Sequence, residues 1–129
     1  MFRRGRLGAA VLAAVVLVGC SQPIAVETVQ IGRSLNEDQS IAAQTTTFKP
    51  NETIYVSALN SARGFGTIKV RWFMGAQLLS EREKQVKFQG AGATEFNISS
   101  ATGFPVGDYR VEVFVDGQPV GTRNFDVRE

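Results

Sequence analysis

From residue 26 onward the chain is a series of short runs in which every second residue is apolar, and a period of two admits strands and little else. The last pair of runs is the clearest. Residues 108–115 alternate Tyr109, Val111, Val113 and Val115 with Arg110, Glu112 and Phe114. Asp116-Gly117 follows, and these two residues accept the positive φ angles that a tight hairpin demands. Residues 120–127 then return, with Phe125 and Val127 as apolar positions.

The same reading predicts earlier strands. Residues 26–33 form the first, with Val29 and Ile31 on one face, and the polar residues 34–40 make a turn. Residues 41–48 are a weaker extended stretch. Lys49-Pro50-Asn51 turns the chain, because proline presets φ at the second turn position. In residues 52–60, Ile54, Val56 and Ala58 alternate with Tyr55 and Ser57. Residues 63–66 read as a glycine-containing break. Residues 67–74 then set Ile68, Val70, Trp72 and Met74 against Lys69, Arg71 and Phe73. After a turn at residues 75–77 come a short run at 78–80, a strand at 85–89, a break at 90–92, and a strand carrying Thr94, Phe96 and Ile98.

The first 20 residues differ in kind. Arg3, Arg4 and Arg6 precede an uncharged run over residues 7–18, a basic segment followed by an apolar one too short to span a bilayer. The run ends Leu17-Val18-Gly19-Cys20, which resembles the lipobox of bacterial lipoproteins at all four positions. The resemblance implies signal-peptidase recognition of Leu17, Val18 and Gly19 and cleavage before Cys20. It also implies a diacylglyceryl group on the Cys20 thiol, with further acylation of the new amino group by a chain such as palmitate. A thiolate suits this step as the strongest side-chain nucleophile. The domain assignment is then residues 1–19 as signal peptide, 20–25 as lipidated cysteine and short tether, and 26–129 as a β-sandwich domain. So brief a tether holds the domain close to its membrane.

Cys20 is the one cysteine, so the fold has no internal disulfide and depends on its core. Cleavage leaves 110 residues, enough for one domain with a hydrophobic centre. Without the three arginines, the 14 basic residues become 11 against 12 acidic ones, a formal charge of −1. That overall balance gives no electrostatic reason to bind nucleic acid or anionic lipid. Membrane attachment would come from the acyl chains, which together anchor stably where one would not.

Seven or so strands in about 100 residues imply an all-β, two-sheet antiparallel sandwich. Two details resemble immunoglobulin-like domains: Trp72 in mid-strand, and Gly107-Asp108-Tyr109-Arg110-Val111, which resembles their tyrosine corner. Where antibody domains carry a cysteine two residues after that tyrosine, this chain has Val111, with Ile54 or Val56 on the expected opposite strand. The resemblance covers most of residues 45–127 and concerns the fold, not an activity.

Chemistry is hard to find. The chain has no histidine, which removes the commonest general base, the Ser-His-Asp triad and most zinc sites. No phosphate-cradling glycine motif follows a strand. Glu81 and Glu83 share a strand face as a glycosidase pair might, yet Arg82 and Lys84 interleave them, and a solvated charged edge is the plainer reading. No enzyme activity, cofactor, metal or nucleic acid is therefore expected.

One feature stands out. With Trp72 and Tyr109 facing the core, Phe73 and Phe114 point outward beside Arg71 and Arg110, the residue types of a protein contact face. A segment such as residues 34–48 folding over that face is the competing expectation. The functional expectation is a lipid-anchored envelope module, binding or structural, with an envelope protein as partner; the alternative is a carrier or chaperone for an apolar ligand. By the same resemblance to lipoproteins, Ser21 in place of the Asp that retains them at the inner membrane implies the outer membrane, facing the periplasm, in a Gram-negative cell. In a Gram-positive cell the location would be the cell membrane.

Overall fold

The computed structural model describes residues 22–129. The expected signal segment, its recognition residues Leu17, Val18 and Gly19, and Cys20 lie outside the described residues. Eight strands make up the rest: β1 (Thr28–Gly32), β2 (Thr47–Phe48), β3 (Ile54–Asn60), β4 (Gly64–Met74), β5 (Gln77–Phe88), β6 (Gly92–Ile98), β7 (Gly107–Val115) and β8 (Gln118–Val127). They form the two-sheet sandwich that the alternation demands. One sheet has the order β1-β3-β6, the other β2-β8-β7-β4-β5. Every pairing is antiparallel except the two-residue β2, which joins β8 in parallel.

The core is where the period-two pattern puts it. Val29 and Ile31 of β1, Ile54, Val56 and Ala58 of β3, and Phe96 of β6 face Ile68, Val70 and Trp72 of β4. Val111 and Val113 of β7 and Phe125 and Val127 of β8 complete the second wall. Trp72 meets Phe125 edge to face, with ring centroids 6.1 Å apart. Tyr109 stacks on Phe125 at 5.3 Å, and its hydroxyl donates to the Pro105 carbonyl four residues upstream, closing a tyrosine corner. Burial pushes the Tyr109 phenol up from its ordinary pKa. Asp116 and Gly117 take φ of 49° and 85° in the β7–β8 hairpin, as their residue types predict.

Four local expectations need correction. The stretch at residues 41–48 is strand only at Thr47–Phe48, because residues 33–46 form a folded loop. The short run at 78–80 and the strand at 85–89 are one element, β5, since its charged middle is held by cross-strand pairing instead of apolar alternation. An extra residue in β5, opposite Trp72/Phe73, shifts the register and disguises that continuity.

The third correction moves the domain boundary. Pro23 and Ile24, assigned to the tether at residues 20–25, belong to the sandwich. β7 runs beside β4 only as far as Ile68. Beyond it, residues 22–24 take the free side of β4: Phe65 N–H donates to the Gln22 carbonyl (3.0 Å) and Ile24 N–H to the Phe65 carbonyl (2.9 Å). Ile24 is thereby buried in the core. Gly64 makes this possible, since a Cβ there would lie 2.6 Å from Ile24 Cα. The glycines at residues 63–66 therefore mark a close backbone approach within β4, not a break.

Candidate functional site

The two sheets each have an outer face, and the chain treats them differently. On the small sheet, Gln30 and Ser57 are paired across β1 and β3 and point outward. The 33–46 loop folds over them. Ser57 Oγ donates to the Gln39 carbonyl (2.8 Å), and Ile41 N–H donates to Gln30 Oε1 (3.1 Å). Ser57 and Ile41 are buried as a result. The loop predicted as a possible cover for Phe73 and Phe114 thus covers the opposite side of the molecule.

The outer face of the five-stranded sheet carries cross-strand rows that the register defines. Leu78, Phe73, Arg110 and Asn124 form one row; Glu81, Arg71, Glu112 and Thr122 the next; Glu83, Lys69, Phe114 and Pro119 a third. The four residues singled out from sequence, Phe73, Phe114, Arg71 and Arg110, are therefore together on one face, and all four are half-buried.

Their chemistry is partly satisfied within the chain. The Arg110 guanidinium lies 4.0 Å from the Phe73 ring centroid, with Nε 2.9 Å from a Glu112 oxygen and Nη1 donating to the Gly75 carbonyl at 2.7 Å. The Arg71 guanidinium is 5.7 Å from the Phe114 centroid, and its Nε bonds Glu81 at 2.8 Å. That bond holds the Glu81 carboxyl below its ordinary pKa. Each arginine covers an aromatic and is fixed by a glutamate, an arrangement that holds both rings in place on the sheet. On the inner side of the same edge strand, Lys84 lies 3.7 Å from Glu95 and 4.8 Å from the Phe96 ring, closing the gap between the sheets.

Sequence reading missed the most exposed apolar residues. Leu78 and Leu79 are 45% and 39% exposed at the β4–β5 hairpin, Val106 is 52% exposed in the loop before β7, and Phe65 is 46% exposed at the opposite end of β4. The adjacent leucines after a turn, which no alternating strand explains, were the available signal. Among the described residues no group of three or more His, Cys, Asp or Glu is placed to hold a metal ion. No helix among them is long and apolar enough to cross a membrane.

No protein-family description matches the sequence, and no curated protein does. Similarity appears in solved structures. An immunoglobulin-like protein of Pseudomonas aeruginosa superimposes with a TM-score of 0.59 at 18% identity, over 85% of this chain and 100% of that one. A cycloisomaltooligosaccharide glucanotransferase of Paenibacillus gives 0.60 at 15% identity over 84% of this chain, which spans only 14% of that enzyme. At such identities the likeness is one of fold: the chain is an immunoglobulin-like β-sandwich.

Proposed function

We propose that this chain is a lipid-anchored, non-catalytic module of the bacterial cell envelope that presents the outer face of its five-stranded sheet to another envelope protein. Leu17-Val18-Gly19-Cys20 supports the anchor, with Cys20 acylated after removal of residues 1–19. The location follows as outer membrane facing the periplasm in a Gram-negative organism, or cell membrane in a Gram-positive one. The single observation that carries the contact reading is the unequal treatment of the two faces. The chain spends a 14-residue loop, residues 33–46, on one, and lays no loop over the other, where Phe73 and Phe114 are half-buried under their arginines and Leu78 is exposed. Aromatic residues with arginine on an open, rigid sheet are what protein interfaces favour.

A carrier for an apolar ligand would need space between the sheets, and Trp72, Phe48 and Phe125 fill it. An enzyme would need convergent polar groups, whereas Glu81 and Glu112, the carboxylates of the open face that flank Arg71, are each engaged by an arginine along the sheet.

Photo-crosslinking in growing cells tests the contact reading. A photoreactive residue at Leu78 or Phe114 should give a discrete adduct whose mass identifies the partner, and one at Asn97, on the exposed edge strand β6, should give none. Equal labelling at all three positions, or none at Leu78 and Phe114, would refute the sheet-face contact.

A further inference from the structure

The bonding of residues 22–24 to β4 decides which end of the sandwich meets a membrane. Phe65 binds Gln22 and Ile24 through its own backbone, so the start of the domain is pinned to the Gly64 end of β4. Cys20 lies two residues before Gln22, and two residues span at most about 7 Å however they run. A lipid on Cys20 therefore cannot let the domain tumble freely, and one end of it must lie at the bilayer surface.

That end has a distinctive row. In register, Lys87 of β5 lies opposite Phe65 of β4, and Pro23 bridges Phe65 on its other side. Phe65 is nearly half exposed. It stands in a shallow depression with Gln22, Arg63, Lys87 and Gln89. Among the described residues, neither Arg63 nor Lys87 has a carboxylate within ion-pair distance, unlike Lys69, Arg71, Lys84 and Arg110 further along the sheet. Two carboxylates near this end, Glu27 and Asp116, accept hydrogen bonds from Ser61 and from the Thr67 backbone N–H and pair with neither cation.

We propose that Phe65, flanked by Arg63 and Lys87, is a membrane-seating site that inserts into the phospholipid interface beside the anchor. An aromatic ring suits the headgroup level of a bilayer, and the two free cations suit lipid phosphates. Seated this way, the strands of β4 and β5 run away from the membrane and carry the Leu78–Phe73–Arg110 row to the far end. The inference rests on the lipid-anchor reading and deepens it, by naming the residues that touch the bilayer.

The test uses the full lipidated protein in vesicles of phosphatidylcholine with a minority of phosphatidylglycerol. With Cys20 acylated, a new thiol at Phe65→Cys or Val106→Cys takes a spin label specifically. Mass spectrometry of the N-terminal peptide first establishes whether Cys20 carries lipid. Given lipid, the label at 65 should lose accessibility to a water-soluble nickel chelate and gain it to oxygen, while the label at 106 stays water-accessible. A water-accessible label at 65 on acylated protein would overturn the seating and leave the anchor standing. An unacylated Cys20 would overturn both. As a check on disturbance by the label, Arg63→Glu with Lys87→Glu and the native Phe65 should weaken the protein's protection from protease at the vesicle surface. Unchanged protection would also count against the site.

Discussion

The outer faces of the two sheets are built from the same alternating pattern, yet one is closed and the other open. On the small sheet, the outward residues at the centre are Gln30 and Ser57, polar side chains that the 33–46 loop uses as hydrogen-bond partners. On the large sheet they are Phe73, Phe114 and a lattice of arginines and glutamates that bond one another. A small polar surface within reach of a loop becomes interior. A surface already satisfied by its own charges needs no cover and remains available. The comparison teaches that exposure here is organised, since the aromatics left outside are held in place by arginines.

The largest test of this contrast is at Gly32. A Cβ there would come 2.1 Å from the Ala43 carbonyl oxygen and 2.4 Å from Ile41 Cγ2, so Gly32→Val must displace the covering loop. A loss of about 3 kcal/mol is expected in urea unfolding. A loss as small as that of a surface change would mean that the loop is not packed on the sheet.

Ser57→Ala is gentler. It removes the buried hydroxyl that donates to the Gln39 carbonyl, and should cost about 1 kcal/mol in the same assay. Protease cleavage within residues 33–46 should rise at the same time.

Acid separates the faces in a third way. The Lys49 backbone N–H, and then Arg33, hold the Glu52 carboxyl below its ordinary pKa, and the Arg33 contact ties the start of the loop to the 49–52 turn. A lowered folded pKa contributes stability that is full above the unfolded value and lost as pH falls through the folded one. Glu52→Gln should therefore lower stability at neutral pH and flatten its decline below the ordinary carboxylate range. An unaltered acid limb would show that Glu52 does not hold the loop.

Phe114→Ser marks the opposite extreme. On the open face it gives up only a partly exposed ring and its arginine contact, so stability should change by under about 1 kcal/mol. Crosslinking to the partner from Leu78 should nonetheless fall.

How much of this was written in the sequence depends on whether a property is local. The strands β3, β4, β7 and β8, the Asp116-Gly117 hairpin, the Trp72 core position and the Tyr109 corner are all set by near neighbours, and alternation reveals them. The gathering of Phe73, Phe114, Arg71 and Arg110 on one face follows from the same parity once β4 and β7 are adjacent. What alternation could not reveal was pairing at a distance. β5 has a charged middle and one extra residue, so its unity comes only from the ladder with β4. The Gly64 approach depends on a segment 40 residues earlier, which made Pro23 and Ile24 look like tether. Polar residues 34–40 gave no hint of which sheet they would cover, because that choice is made by Gln30 and Ser57. The exposure of Leu78 and Leu79 was hidden because Leu79 is the extra residue of β5, opposite no residue of β4, and its insertion breaks the alternation that would have placed Leu78 on the outer face beside Phe73.

Hydroxyl-radical footprinting tests the central claim most directly, by comparing the lipidated protein in vesicles with the same protein in its native envelope. Phe73, Phe114 and Leu78 should be modified in vesicles and protected in the envelope, while Tyr55 on the small sheet keeps the same reactivity in both. Equal modification of Phe73, Phe114 and Leu78 in the two settings would contradict the claim that the open sheet face is where this module meets its partner.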